Sequence, residues 1–292
     1  MISALLLLAA AQPDQLAHIS RFYKPGTAPS SLELYLSSMD GTKSRKLAME
    51  QTPIGVSWLG KDRLAVHTQV GVYVGSIKSW KPKLVMETAY YQLALSENRT
   101  SAPGVVQLAK YEDGDNAILN AKTLKIDPMD YSKVPEPLDA VDGKYSVTEP
   151  NGAALTLEFG KSIEFPGKST SDKRSYFFQR GWDMPKGAGK QLFLLANSES
   201  LVSDENLNSM LLLEKSKKPR VLFGYADSFD FWFQRPTFAY TTKQIETPLN
   251  PKNKKSSLVL TNELRVGDWT KGTERKVFSG PVRTVSVAIR PY

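Results

Sequence analysis

Short runs in which apolar and polar residues alternate, broken every few positions by Gly, Pro, Asn or Asp, fill most of this chain. The stretch Arg45–Val66 shows the pattern most clearly. Ile54, Val56 and Trp58 alternate with Gly55, Ser57 and Leu59, the two-residue period of a strand. Gly60-Lys61-Asp62-Arg63 then predicts a turn, because Gly reaches positive φ and an Asp side chain bonds its own backbone. Leu64-Ala65-Val66 begins a return strand. Helical patterning is scarce. Val202–Leu213 has room for one helical turn, whereas Leu192–Leu195 and Met210–Leu213 read as buried strands. The chain is predicted to be all-β.

The unit returns along the sequence, and such a period changes the fold expected. Leu47, Leu84, Ile126, Ile163, Leu222 and Val277 mark one apolar position in six copies, separated by 37, 42, 37, 59 and 55 residues. The eight residues from Trp58 to Val66 are matched from Trp232 to Tyr240. The last copy stops after an outgoing strand, Val285–Ile289, while Leu16–Ser20 near the other end looks like a return strand without a partner. Joining the two would complete one sheet and hide its edges. The expected architecture is a six-bladed β-propeller closed by pairing of the N- and C-terminal strands in one blade, a single domain over 12–292.

Leu34-Tyr35-Leu36-Ser37-Ser38-Met39-Asp40-Gly41 with Arg45-Lys46-Leu47, and the turn segments Trp58-Leu59-Gly60-Lys61 and Val141-Asp142-Gly143-Lys144-Tyr145, resemble the repeat of TolB-like six-bladed propellers. No copy has the complete Ser-Pro-Asp-Gly-Lys turn of that family. The shared residues are turn formers and core apolars, so the resemblance carries over no catalytic residue. It implies a scaffold that docks a protein or cell-envelope partner at one mouth of a channel.

At the N-terminus, Ala4–Ala11 is apolar and ends in three alanines, which reads residues 1–11 as a signal peptide, although Met1-Ile2-Ser3 lacks a basic residue. The run is too short to span a bilayer, and no membrane span is expected. The sequence contains no Cys, which rules out a disulfide framework and a Cys-ligated metal. A periplasmic or secreted location and a monomeric state are expected.

Net charge is +8, with the basic excess in Lys215–Arg220 and Lys252–Lys255. These runs read first as solvated hairpin tips. If they bind anything, the contacts are Lys217, Lys218, Lys254 and Lys255. Trp182 heads a Gly- and Pro-rich segment, Trp182–Gly189, read as a loop insertion, and joins them as a candidate partner-binding residue. Nucleic acid is not expected, because aromatics do not alternate with the lysines.

Candidate chemistry is sparse. His18 and His67 both start return strands, but one position out of step, so they face opposite sides of their sheets. A shared metal or a proton relay between them is not expected. Gly167-Lys168-Ser169 lacks the Gly five residues earlier that a phosphate loop needs, and no nucleophile elbow is present. Glu112-Asp113-Gly114-Asp115-Asn116 reads as a turn, not a calcium loop. No catalytic residue, metal ligand or cofactor is assigned. The leading expectation is a non-enzymatic binding propeller. The alternatives are a metal-dependent, lactonase-like propeller hydrolase, whose carboxylate ligands would be scattered in sequence, and a propeller that gates a separately encoded hydrolase.

Overall fold

The computed structural model describes residues 16–24, 31–87, 91–95, 105–110, 116–128, 143–148, 154–159, 167–169, 175–183, 190–198, 207–214, 217–232, 235–250, 252–253 and 255–291. All regular elements among them are strands, as the alternating pattern predicts. No helix among the described residues is long and apolar enough to cross a membrane.

The repeated unit is a four-stranded antiparallel sheet. One comprises β1 (Leu16–Phe22), β2 (Glu33–Ser37) and β3 (Ser44–Leu47), with the last strand of the chain added beside β1. The next contains β4 (Pro53–Trp58), β5 (Arg63–Thr68), β6 (Gly71–Ser76) and β7 (Ser79–Glu87) in that order. A third contains β8 (Tyr91–Leu95), β9 (Val105–Lys110), β10 (Asn116–Asn120) and β11 (Ile126–Pro128). Then β12 (Gly143–Thr148), β13 (Ala154–Phe159), β14 (Gly167–Ser169), β15 (Ser175–Asp183), β16 (Lys190–Ser198), β17 (Leu207–Glu214) and β18 (Arg220–Ala226) pair in one run, where the repeat predicts separate sheets. A single parallel pair, Thr148 with Arg220, joins the ends of that run. The last four-stranded sheet is β19 (Phe229–Trp232), β20 (Thr237–Thr241), β23 (Leu264–Asp268) and β24 (Thr273–Lys276). Between β20 and β23 the chain leaves it to form a separate hairpin, β21 (Ile245–Pro248) with β22 (Leu258–Thr261). The final strand, β25 (Val282–Ile289), pairs antiparallel with β1, so Ile19 and Val287 share a sheet although 268 residues separate them.

The turn of the repeat forms as its residues require. Gly60 takes φ +65°, and the Leu59 N–H donates to Arg63 O at 3.0 Å. Gly41 closes the β2–β3 turn at φ +70°, and a Cβ there would fall 2.1 Å from Val277 O, so a side chain is excluded.

Adjacent sheets are fastened through their first strands. The Val56 N–H donates to Ser286 Oγ (3.1 Å), and Trp58 Nε1 donates to Ala288 O (3.2 Å). On the other side of β25, the Val287 N–H donates to Ser228 Oγ (3.1 Å) and the Ile289 N–H to Asp230 Oδ2 (2.8 Å). The sequence offset is 230 in the first pair of contacts and 59 in the second, so β19, β25 and β4 lie side by side, parallel and without slippage. A backbone N–H that faces another sheet has no ladder partner, and these short polar side chains satisfy it.

Apolar side chains fill the spaces between the sheets. Ala17, Ile19, Leu34 and Leu36 pack on Val56, Trp58, Leu64 and Val66. Leu16, Val287 and Ile289 pack on Ala239, Leu264 and Val266. Val56 lies opposite Val66, Val287 opposite His18, and Phe229 opposite Tyr240. Counting two residues on from each, Phe231, not Trp232, is the counterpart of Trp58, and it is buried. The eight-residue spacing from Trp232 is one out of register because the chain from Phe229 to its partner Tyr240 is a residue longer than that from Val56 to its partner Val66.

Two local expectations are corrected. Of Val202–Leu213, read as having room for one helical turn, the part from Leu207 on belongs to the strand Leu207–Glu214, and residues 202–206 lie outside the described residues. Trp182 is no loop residue, since β15 runs to Asp183 and Trp182 pairs with Leu192.

Candidate functional site

The inserted hairpin overhangs a cleft of about 930 Å³. Ile245, Thr247 and Thr261 of the hairpin form one wall. Gly224 and Tyr225 at the end of β18, with Pro281 and Val282 leading into β25, form the other. Tyr225 adopts φ +55°, a left-handed conformation rare for an aromatic residue and costing on the order of 1–3 kcal/mol. It is the kind of local strain that the surrounding packing must hold in place.

Asn262 fixes the wall. Its Nδ2 donates to Thr284 O and its Oδ1 accepts from the Thr284 N–H, both at 2.8 Å, while its own N–H donates to Val282 O at 2.9 Å. These three bonds tie the end of the hairpin to β25. Below Asn262, Glu263 accepts from Arg265 Nε (2.7 Å) and Lys276 Nζ (3.1 Å). Burial alone would raise the Glu263 carboxyl, but those two donors outweigh it and hold it below the usual carboxylate range. Arg265 also pairs with Glu274, which accepts from the Tyr240 hydroxyl at 2.9 Å. The floor is thus apolar, three threonine hydroxyls (Thr242, Thr247, Thr261) lie within reach, and a braced ion pair stands at the rim.

Ile245 is 57% exposed, Leu258 58% and Leu260 41%; these are three of the five exposed large apolar side chains found among the described residues. The hairpin tip carries Lys252 and Lys255, both exposed. Lys255 is therefore on a solvated tip, as the charge run predicts; Lys254 lies outside the described residues. Lys217 and Lys218 occupy a different tip, between β17 and β18, where Lys217 pairs with Glu214 at 3.2 Å. The side chain of Trp182 lies outside the described residues, as do residues 1–11. The cleft itself was missed by sequence reasoning. Its available signal was the long separation between Leu222 and Val277, which the inserted hairpin accounts for.

The two histidines are kept apart, as their register predicts. His18 shares its strand face with Ser20 and Phe22, while His67 sits on the alternate face of β5 in the next sheet. His18 Nε2 lies 2.7 Å from Ser37 Oγ and Nδ1 lies 2.7 Å from Ser20 Oγ. A Ser–His contact can activate a nucleophile. Here His18 and Ser37 are fully buried, and burial lowers the His18 imidazole to about 3, so it is a weak proton acceptor that no substrate reaches. Burial also lowers His67, whose Nε2 has no hydrogen-bond partner. Among the described residues no three His, Asp or Glu side chains converge as metal ligands would.

No protein-family model matches the chain, and no curated protein matches it in sequence. Solved structures do. The chain is similar to TolB from Acinetobacter baumannii, at 12% identity and a TM-score of 0.52, over 96% of this chain and 67% of that one. It also matches a putative TolB from Agrobacterium tumefaciens, at 9% identity and a TM-score of 0.42, over 96% and 99% of the two chains. A chain of a nidogen/laminin complex matches at 8% identity and a TM-score of 0.39, over 94% and 98%. The first likeness shows the fold: with its small antiparallel sheets, the chain is a β-propeller of the TolB-like kind.

Proposed function

We propose that this protein is an exported, non-enzymatic six-bladed propeller whose inserted hairpin and cleft dock a protein or cell-envelope partner. Six blades fit the sheets if the seven-strand run, β12–β18, supplies two of them beside the four four-stranded sheets. The β1–β25 pairing supports ring closure. Export rests on the apolar run Ala4–Ala11 and its terminal alanines.

One observation carries the docking reading. A hairpin that belongs to no four-stranded sheet keeps Ile245 in water at an apolar cleft, and Leu258 and Leu260 in water on the hairpin's other face. Exposed apolar side chains clustered beside polar rims mark interaction surfaces. The cationic tip, Lys252 and Lys255, favours an acidic partner by steering it.

The test is site-specific photo-crosslinking from position 260 in living cells. A discrete adduct that disappears when Ile245 and Leu258 are changed to Ser supports the reading. Failure to cross-link, together with lactone hydrolysis that a chelator abolishes, would replace it with the hydrolase alternative.

A further inference from the structure

We infer that Arg21 and Arg283 form a binding site for a phosphate-class oxyanion. The two residues stand directly opposite one another where β1 pairs with β25. On β1, Arg21 shares its face with Ala17 and Ile19, which pack toward β4.

Like charges directly opposite on antiparallel strands repel. Three other arginines have acceptors: Arg45 donates to Ile77 O, Arg63 to Ala121 O, and Arg290 to Lys61 O and Asp62. Among the described residues neither Arg21 nor Arg283 has one. Both side chains are half-buried, and the Nε–H of each is enclosed with no hydrogen-bond partner. A buried donor without an acceptor is costly, and two beside each other on one rung concentrate that cost with the charge repulsion. An anion between the guanidinium groups removes both penalties.

The paired charge selects the ligand. One guanidinium fork satisfies the two oxygens of a carboxylate. Two guanidinium groups on facing strands carry two positive charges, which a phosphate dianion balances and a single carboxylate does not. The ligand is inorganic phosphate or a phosphate monoester, either free or as a lipid headgroup. Arg283 follows Val282 of the cleft wall, but neither arginine lines the cleft, and this inference does not rest on the docking reading.

The experiment compares thermal melts of the full chain in inorganic phosphate and in chloride at equal ionic strength, for the natural protein, R21Q, R283Q and R283K. Phosphate stabilises many proteins by exclusion from their surfaces, and that rise is common to all variants. A bound ion adds a saturable rise on top of it. The natural protein should show the saturable component. Each Gln variant should bind phosphate roughly tenfold more weakly or lose it, and R283K, charged but without the fork, should fall between. In chloride, R21Q and R283Q should melt no lower than the natural protein, because each relieves the repulsion. Acetate at the same ionic strength should give no saturable rise. Sedimentation with phosphatidic acid vesicles but not phosphatidylcholine vesicles would place the phosphate on a lipid; protection by soluble phosphate alone would place it on a small molecule. Equal phosphate responses in the natural protein and R283Q, with no vesicle binding, would overturn the inference.

Discussion

Acidification should destabilise this protein well before its carboxylates titrate, through His18. The imidazole is fully buried, hydrogen-bonded to Ser20 and Ser37, stacked on Tyr35 at 5.5 Å, and packed beside Phe22 and Phe278. Among the described residues no acidic side chain contacts it to stabilise a charge. Burial lowers its pKa to about 3 from 6.5. Between those values the unfolded chain binds a proton that the folded chain refuses, so stability falls as pH falls. The contribution is intact above pH 6.5, erodes below it, and levels off below about 3, where both states are protonated. Integrated from pH 7 to pH 5 at 1.36 kcal/mol per unit, the loss is about 2 kcal/mol. Urea denaturation at the two pH values measures it. Since burial lowers His67 in the same direction, the natural protein loses this amount plus the His67 share. H18Q, which cannot titrate, should be less stable throughout but should lose about 2 kcal/mol less between pH 7 and 5. Proton NMR of the His18 ring checks the same point without a variant: its resonances should stay in the neutral form at pH 5. An equal pH loss in H18Q and the natural protein, or a His18 midpoint near 6.5, would refute the reasoning.

Two further outcomes follow from the fastenings between sheets. Trp58 is fully buried and donates to Ala288 O across the β4–β25 junction, so W58A should cost roughly 3–5 kcal/mol in chemical denaturation; an unchanged melting temperature would contradict its core position. Asp230 accepts the N–H groups of Ile289 at 2.8 Å and of Phe231 at 2.9 Å, both buried, so D230A should cost roughly 2–4 kcal/mol and speed hydrogen exchange at Ile289 first.

The alternation of Ile54, Val56 and Trp58, the Gly60–Arg63 turn and the unmatched end strands by themselves determined an all-β chain of repeated antiparallel units with its termini paired. These features are local, or they recur, and both survive reading one residue at a time. The side on which each histidine lies was equally legible, because strand alternation has a period of two. Tertiary structure alone decided the rest. One more residue between the partners Phe229 and Tyr240 than between Val56 and Val66 moved the core position from Trp232 to Phe231. The hairpin between β20 and β23 left its sheet and built a cleft from segments as distant as Gly224 and Val282. Arg21 met Arg283 across 262 residues only because β1 and β25 settled in one register. Register and sheet-to-sheet contact depend on turn length and on which buried N–H groups find acceptors. Those are properties of residues far apart in the chain, and no local pattern encodes them.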